Sequence, residues 1–184
     1  GLLLHDLNEN VVDERSGNVS TRHHISHARF SHNGIYVVTG TKFSARIWEV
    51  SSGILIFTLP HPGYVRCVEF SQDDQFVGTT SDSIAQLWKV QTGESVSSFL
   101  GHAQDISELE FSPDGKFLAT GSADKSIKLW NLQTGSLSST LQHKNTVDCM
   151  TFSPDSKRIL SVSDERTARV WDIITGLEVG SLKG

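Results

Sequence analysis

The stretch that decides the fold is residues 101–135, which read GHAQDISELEFSPDGKFLATGSADKSIKLWNLQTG. The apolar residues of 106–111 have the spacing of a strand if one residue forms a bulge. Pro-Asp-Gly at 113–115 is typical of a tight turn, because glycine tolerates positive φ. Residues 116–120, 126–130 and 136–141 then form three further strands separated by turns. The stretch therefore predicts a four-stranded antiparallel meander.

The same pattern recurs along the chain. Four tryptophans, Trp48, Trp88, Trp130 and Trp171, lie 40, 42 and 41 residues apart. A Phe-Ser pair at residues 30, 70, 111 and 152 keeps the same phase, and so does a glycine five residues after each tryptophan. Units of about 40–45 residues with four strands each are typical of β-propellers, whose four-stranded sheets are called blades. A blade buries its faces only by stacking on its neighbours, so we predict a repeat array.

The repeats divide one domain, residues 1–184, into approximate units 1–52, 53–92, 93–134 and 135–175, with 176–184 starting the next. We assign residues 2–7 as the outer strand of the first blade and residues 54–59 as that of the second. Residues 9–20 have no counterpart in the other units, and their polar composition predicts an inserted loop, with partner binding as an alternative role.

These residues resemble the WD40 repeat family. The resemblance rests on Gly101-His102, the Phe-Ser-Pro-Asp-Gly turn at 111–115, Asp124 and Trp171-Asp172, and it covers nearly the whole chain. It implies an all-β, WD40-type β-propeller of four four-stranded antiparallel blades. Because propellers of this family usually have about seven blades, we expect a partial, open propeller whose exposed edges favour pairing with a second copy. It also implies a non-catalytic scaffold that binds other proteins.

The resemblance implies a buried hydrogen-bond network in each blade, which runs from an aspartate through a histidine and a hydroxyl to the indole of the tryptophan. Such a network would satisfy otherwise unpaired polar groups. The third blade has the full set, and Ile84 and Glu165 depart from it in the second and fourth. The network residues by repeat are His102, Asp124, Ser126 and Trp130; His61, Asp82 and Trp88; and His143, Thr167 and Trp171. The first blade keeps only Ser44 and Trp48, so we expect it to be the weakest.

Partner binding is expected on the narrow face, where the resemblance implies residues around the start of each inner strand and the turn before each third strand. Tyr64 and Arg66 are the strongest candidates, because aromatic and arginine side chains dominate interface energetics. The alternative is that some members of this set are ordinary exposed loop residues. The set is Tyr64, Arg66, Cys67, Ser81, Asp105, Ser107, Glu108, Asp148, Cys149, Asp164, Ser26 and His27, with His24, Thr41 and Ala123 at matching positions.

Composition and spacing argue against other functions. The net charge of −5 and the scattered Lys and Arg disfavour direct contact with nucleic acid or an acidic membrane. His, Ser/Thr and Asp recur in each repeat, whereas a catalytic triad needs one nucleophile, so we predict no enzyme activity. Among the histidines at 23, 24, 27 and 32, His23 and His27 are spaced i, i+4 and could share a metal only on a helix, whereas this stretch reads as a loop leading into a strand. No cysteine joins them at a zinc-like spacing, so we predict no metal and no cofactor. Cys67 and Cys149 hold equivalent positions in separate repeats, which argues against a disulfide and favours an intracellular location.

A narrower resemblance concerns residues 63–70, 101–106 and 172–177, which are similar to the middle blades of fungal Groucho-type general transcriptional corepressors, while residues 3–7 are similar to the start of that propeller. It implies a nuclear protein that docks DNA-bound transcription factors, although residues 9–20 and 79–82 depart from the family pattern. Two alternatives stay open. One is a cytoplasmic substrate-adaptor or complex-assembly propeller, and the other is a regulatory propeller of a larger enzyme.

Overall fold

The computed structural model describes residues 11–12, 19–20, 25–163 and 167–183. Within these ranges the chain consists of strands and turns without a helix. The first two strands, β1 (Val11–Val12) and β2 (Val19–Ser20), pair antiparallel with each other. The segment predicted as an inserted loop therefore contains a small hairpin.

Four sheets of four antiparallel strands follow in chain order. The first sheet consists of β3 (His27–Phe30), β4 (Tyr36–Gly40), β5 (Ser44–Glu49) and β6 (Leu55–Pro60), and the second of β7 (Val65–Phe70), β8 (Phe76–Ser81), β9 (Ile84–Lys89) and β10 (Ser95–Leu100). The third consists of β11 (Ile106–Phe111), β12 (Phe117–Ser122), β13 (Ser126–Asn131) and β14 (Leu137–Gln142), and the fourth of β15 (Val147–Phe152), β16 (Arg158–Ser163), β17 (Thr167–Asp172) and β18 (Glu178–Lys183). The predicted all-β fold of four antiparallel blades is confirmed.

The sheets stack in sequence through their inner strands, with β3 against β7, β7 against β11 and β11 against β15. Each junction buries an apolar core, built for example from Ile47 and Phe70 at the first junction and from Leu129 and Phe152 at the third. A strand alternates its side chains between two faces, so every interior sheet contributes to two cores.

The two terminal sheets each keep one face uncovered, and the arc is open. Phe30 is 65% exposed, whereas its repeat equivalents Phe70 and Phe111 are each 1% exposed. Likewise Leu182 is 66% exposed, whereas Leu141 is fully buried. We call the uncovered surface around Ile25, Phe30 and Ile35 the first end face, and that around Leu160, Val162 and Leu182 the last end face.

The outer strand of each sheet follows its third strand directly. Leu55–Pro60 pairs with Ser44–Glu49 of the first sheet, so the assignment of residues 54–59 to the second blade is wrong. The short turn after β5 returns the chain beside the strand it has just left, which makes a hairpin the available pairing. The other strand predicted for the first blade, residues 2–7, lies outside the described residues, and β6 holds that edge of the sheet. The predicted unit boundaries remain predictions.

Candidate functional site

A buried hydrogen-bond network locks the third sheet. The indole Nε1 of Trp130 donates to Oγ1 of Thr120 at 2.9 Å, and that oxygen lies 2.8 Å from Nε2 of His102. The other ring nitrogen, Nδ1, lies 2.8 Å from a carboxylate oxygen of Asp124. Burial lowers the pKa of His102, although Asp124 opposes this. A neutral imidazole therefore donates from Nδ1 to the carboxylate, and the Thr120 hydroxyl donates to Nε2.

The Asp124 carboxylate is the charged anchor of this network. Burial alone would raise its pKa, but hydrogen bonds from the Ser126 hydroxyl, the Ala103 amide and His102 lower the pKa to about 2. The expectation that Ser126 links histidine to tryptophan is wrong, because its hydroxyl donates to Asp124 at 2.6 Å. Thr120, on the second strand, carries that link.

The same second-strand hydroxyl occurs in every sheet. Thr79 lies between His61 (2.7 Å) and the Trp88 indole (2.8 Å), so Ile84 does not break the second network. Ser161, rather than Thr167, connects His143 (2.9 Å) to Trp171 (2.8 Å) in the fourth. In the first sheet Thr39 accepts from Trp48 at 2.9 Å. The signal was in the sequence, since each of these hydroxyls stands nine or ten residues before its tryptophan.

The second network also lacks the expected aspartate contact. Nδ1 of His61 lies 3.0 Å from the Leu59 carbonyl oxygen. The Asp82 carboxylate lies instead against Gly63, where an added Cβ would come within 2.5 Å of it. The networks are thus buried structural locks, because Thr39, Thr79, Thr120 and Ser161 are at most 2% exposed and each accepts a bond from a tryptophan indole.

The predicted partner-binding positions lie along one edge of the sheets, which we call the rim: the starts of the inner strands and the turns after the second strands. A β-bulge shifts the register there in three sheets, and the residues that the strand register skips are Arg66, Ser107 and Asp148. The bulge predicted in residues 106–111 is confirmed. A bulge redirects a side chain out of the ladder, so the rim presents these three residues separately from the strand pairing.

Three exposed rim residues lie near the starts of inner strands, Tyr64 and Arg66 at β7 and Asp105 just before β11, and Arg66 and Asp105 meet across the junction of the second and third sheets. Tyr64 is 38% exposed. Nη2 of Arg66 lies 2.6 Å from a carboxylate oxygen of Asp105, and their side chains are 49% and 48% exposed. An exposed ion pair contributes little to stability, so both groups can exchange it for a partner at small cost. Asp148 and Cys149 are exposed further along the rim.

Other members of the predicted set lie beneath the rim or join the sheets. Cys67 and Ser81 are buried, at 7% and 1% exposure, which conflicts with a role in partner contact. Burial, reinforced by the Glu108 carboxylate, raises the pKa of the Cys67 thiol to about 12. The Ser26 hydroxyl donates to the Val65 carbonyl at 2.5 Å, and that of Ser107 donates to the Val147 carbonyl at 3.2 Å.

The remaining predicted rim positions differ in their exposure to solvent. His27, Glu108 and Ala123 are half-buried and Thr41 is buried. His24 and Asp164 lie outside the described residues.

The inner strands also carry a row of carboxylates that sequence reasoning missed. Glu110 accepts hydrogen bonds from the Thr151 hydroxyl (3.0 Å) and the Phe152 amide (3.2 Å) of the fourth sheet. Burial, with the Glu110 charge next in weight, raises the pKa of Glu69 to about 8, while Arg29 opposes the shift. Arg29, Glu69, Glu110 and Thr151 share one repeat position, which is the signal that could have revealed the row.

Two features are absent from the described part of the chain, a metal-binding group of side chains and a membrane-spanning helix. It holds no group of three His, Cys, Asp or Glu side chains arranged to bind a metal ion. Across those same residues, no helix has the length and apolar character needed to cross a membrane.

The family model described as "WD domain, G-beta repeat" matches the chain four times, at residues 16–49, 53–89, 93–131 and 135–172. The chain belongs to the WD40 repeat family. The second to fourth matches each begin with the outer strand of one sheet and continue with the first three strands of the next. This WD40 repeat is therefore offset by one strand from the blade that it helps to build.

Two curated relatives share part of this WD40 chain. Guanine nucleotide-binding protein subunit beta-1 of Drosophila melanogaster is 43% identical over 49 residues, which is 27% of this chain and 14% of the relative. The protein of the same name from Caenorhabditis briggsae is 37% identical over 49 residues, with the same coverage of 27% and 14%. The matched segment thus spans well under two thirds of either relative, and the similarity concerns a short part of the WD40 array.

Proposed function

We propose that this WD40 chain is a non-catalytic scaffold that binds other proteins through the rim, with Tyr64, Arg66 and Asp105 as its centre. The observation that carries the proposal is the exposed rim at the start of β7, where Tyr64 is 38% exposed and a bulge takes Arg66, two residues later, out of the strand pairing and towards Asp105 of the next sheet. Aromatic and arginine side chains are the commonest energetic anchors of protein interfaces.

A matched pair of substitutions tests the rim. Tyr64→Ala removes the aromatic anchor, whereas Ile174→Ala removes an 85% exposed apolar side chain at the opposite edge of the sheets. Proteins captured by the immobilised wild-type chain are identified by mass spectrometry and compared between variants. We expect the set to shrink with Tyr64→Ala and to persist with Ile174→Ala, at equal melting temperatures. Unchanged capture by Tyr64→Ala would remove the rim as the binding site.

We further propose that the partners are DNA-bound transcription factors and that the setting is corepression in the nucleus. The similarity of residues 63–70, 101–106 and 172–177 to Groucho-type corepressor blades supports this choice. Transcription factors among the proteins lost with Tyr64→Ala, and a nuclear location of a fluorescent fusion, are the expected results. A cytoplasmic fusion that captures enzyme or ligase subunits would favour the alternative of an adaptor or complex-assembly propeller, with which the word "subunit" in the relatives' name agrees.

We also propose that the two end faces bind each other between two copies of the chain. Phe30 of the first end face holds the repeat position of Phe70 and Phe111, which pack on the preceding sheet. Leu182 of the last end face holds the position of Leu59 and Leu141, which pack on the following sheet. At an interior junction the equivalents of the first end face pack against the equivalents of the last end face. The two end faces of separate copies can therefore pack in the same way, and the resulting contact would extend the stack.

A further inference from the structure

A groove opens between the second and third sheets at the edge opposite the rim. Its volume is about 410 Å³, within the range of ligand pockets. Its lining combines the apolar side chains of Phe76, Leu87, Val96 and Leu132 with the acidic residues Asp73 and Asp114. We call it the side groove.

At the side groove, serine replaces an aromatic side chain that is present in the first sheet, as it also does in the third sheet, where Ser139 lies within 3.6 Å of a Cβ added to Gly176. Phe57 packs into the core of the first junction, and its ring would come within 2.6 Å of a Cβ added to Gly93. Register pairs Phe57 with Ile47, and the equivalent residue opposite Leu87 is Ser97. A Cβ added to Gly135, the counterpart of Gly93, meets nothing within 4 Å. The space of one aromatic ring is thus left open.

A polar link is missing at the same junction. At the first junction the Asp74 carboxylate accepts the amides of His32 (2.8 Å) and Asn33 (2.9 Å) from the preceding turn. At the third, the Ser156 hydroxyl accepts the amide of Asp114 at 3.0 Å.

The equivalent residue at the second junction is Gly115, which has no side chain and whose added Cβ would meet nothing within 4 Å. Among the described residues, no acceptor therefore pairs with the amides of Gln72 and Asp73, and both residues line the groove. The junction lacks an acceptor as well as a ring.

We propose that the side groove binds a partner segment that supplies both missing groups, an aromatic side chain on the apolar part of the lining and a neutral oxygen on the amides of Gln72 and Asp73. Lys116 Nζ lies 3.2 Å from the Asp114 carboxylate in an exposed ion pair, which leaves the Asp73 carboxylate to disfavour an anion, so the oxygen is neutral. At the other two junctions, too, the charge of the acceptor depends on the residue that supplies the amide. The amide of the anionic Asp114 donates to a neutral hydroxyl, and the amide of the neutral Asn33 donates to a carboxylate. For the same reason a basic residue next to the aromatic one strengthens binding, and an acidic one weakens it.

The probe is the capped tripeptide acetyl-Phe-Ser-Lys-amide, titrated into the ¹⁵N-labelled 184-residue chain and followed by NMR. We expect the amide signals of Gln72 and Asp73 to shift, with a dissociation constant of about 1 mM, as suits a ligand of this size. Acetyl-Ala-Ser-Lys-amide and acetyl-Phe-Ser-Glu-amide are the matched controls, each expected to bind about tenfold or more weakly, a difference of about 1.4 kcal/mol. Absence of shifts at these two amides up to about 10 mM peptide would overturn the proposal, as would equal binding of all three peptides.

Two substitutions close the groove with groups that the protein uses at its other junctions. Ser97→Phe copies Phe57, and Gly115→Ser copies Ser156, which adopts a φ of 57° where Gly115 has 69°. Each is expected to weaken tripeptide binding at least tenfold, and if Ser97→Phe does not fold, Gly115→Ser decides. Wild-type affinity in a folded variant overturns the proposal. Tyr64→Ala is expected to bind the tripeptide like the wild type, which separates this site from the rim, and a loss of binding in that variant would overturn the placement.

Discussion

Replacing Thr120 with valine tests the order of contacts in the third-sheet network. Valine has nearly the shape of threonine, so Thr120→Val removes the hydroxyl without opening a cavity. Two polar groups then lose their partner: the indole N–H of Trp130, bonded at 2.9 Å, and Nε2 of His102, bonded at 2.8 Å. Thr120 is fully buried and His102 is 7% exposed, so water cannot replace the hydroxyl without rearrangement.

A buried polar group without a partner costs about 1–3 kcal/mol, so two such groups place the loss from Thr120→Val at about 3 kcal/mol or more. Thr120→Ser, which keeps the hydroxyl and loses one methyl group, should cost about 1 kcal/mol. Ser126→Ala should also cost about 1 kcal/mol, because it removes a contact to Asp124 that other donors partly replace. The measurement is urea unfolding at pH 7, followed by tryptophan fluorescence and circular dichroism.

The assignment of Thr120 as the link fails if the free energy of unfolding of Thr120→Val lies within about 0.5 kcal/mol of the wild-type value, the usual range for a neutral surface change. It fails equally if Ser126→Ala is the more damaging variant, because Ser126 would then be the link between histidine and tryptophan.

Three further predictions concern other parts of the fold. The pKa of Glu69 is raised from 4.5 to about 8, so between these pH values the folded chain holds a proton that the unfolded chain releases. The free energy of unfolding should therefore fall as pH rises through this window, by up to about 1.4 kcal/mol per pH unit. Glu69→Gln should flatten this pH profile, as measured by urea titrations. Phe30→Ser should reduce self-association, measured by light scattering, with little loss of monomer stability. Phe111→Ser, at the buried equivalent position, should lower the free energy of unfolding by about 3 kcal/mol or more. Equal losses of stability in the two variants would contradict the open arc. Asp74→Gly keeps the positive φ but removes the bonds to the preceding turn, and should lower the free energy of unfolding by about 1–2 kcal/mol, while a loss within error would show that the turns are not coupled.

The sequence predicted the four blades because their markers are local and repeat in phase. A tryptophan, a Phe-Ser pair and a turn glycine in every unit define strand ends without knowledge of long-range contacts. The outer strand at residues 54–59 was placed in the wrong sheet, since a repeat in sequence does not say on which side of a boundary a strand pairs. The pairing is decided by the hairpin between β5 and β6, which places β6 in the sheet of β5.

The candidate site was less predictable than the fold. Position in the repeat located the rim, but burial separates Tyr64 and Arg66, which are exposed, from Cys67 and Ser81, which are not. Burial depends on how neighbouring sheets pack, and no single repeat carries that information. The network hydroxyl was missed for a related reason: Thr120 and Ser126 are both near the tryptophan in sequence, and only the geometry of the sheet decides which one reaches the indole.

The one-strand offset between repeat and blade bears on how such arrays can change length. If residues 53–92 were excised, β5 would be followed by β10 in place of β6, and every remaining sheet would still have four strands. Gain or loss of a whole unit therefore leaves no sheet without its outer strand. Copy number can drift by duplication or deletion in the gene while each intermediate protein keeps complete hairpins.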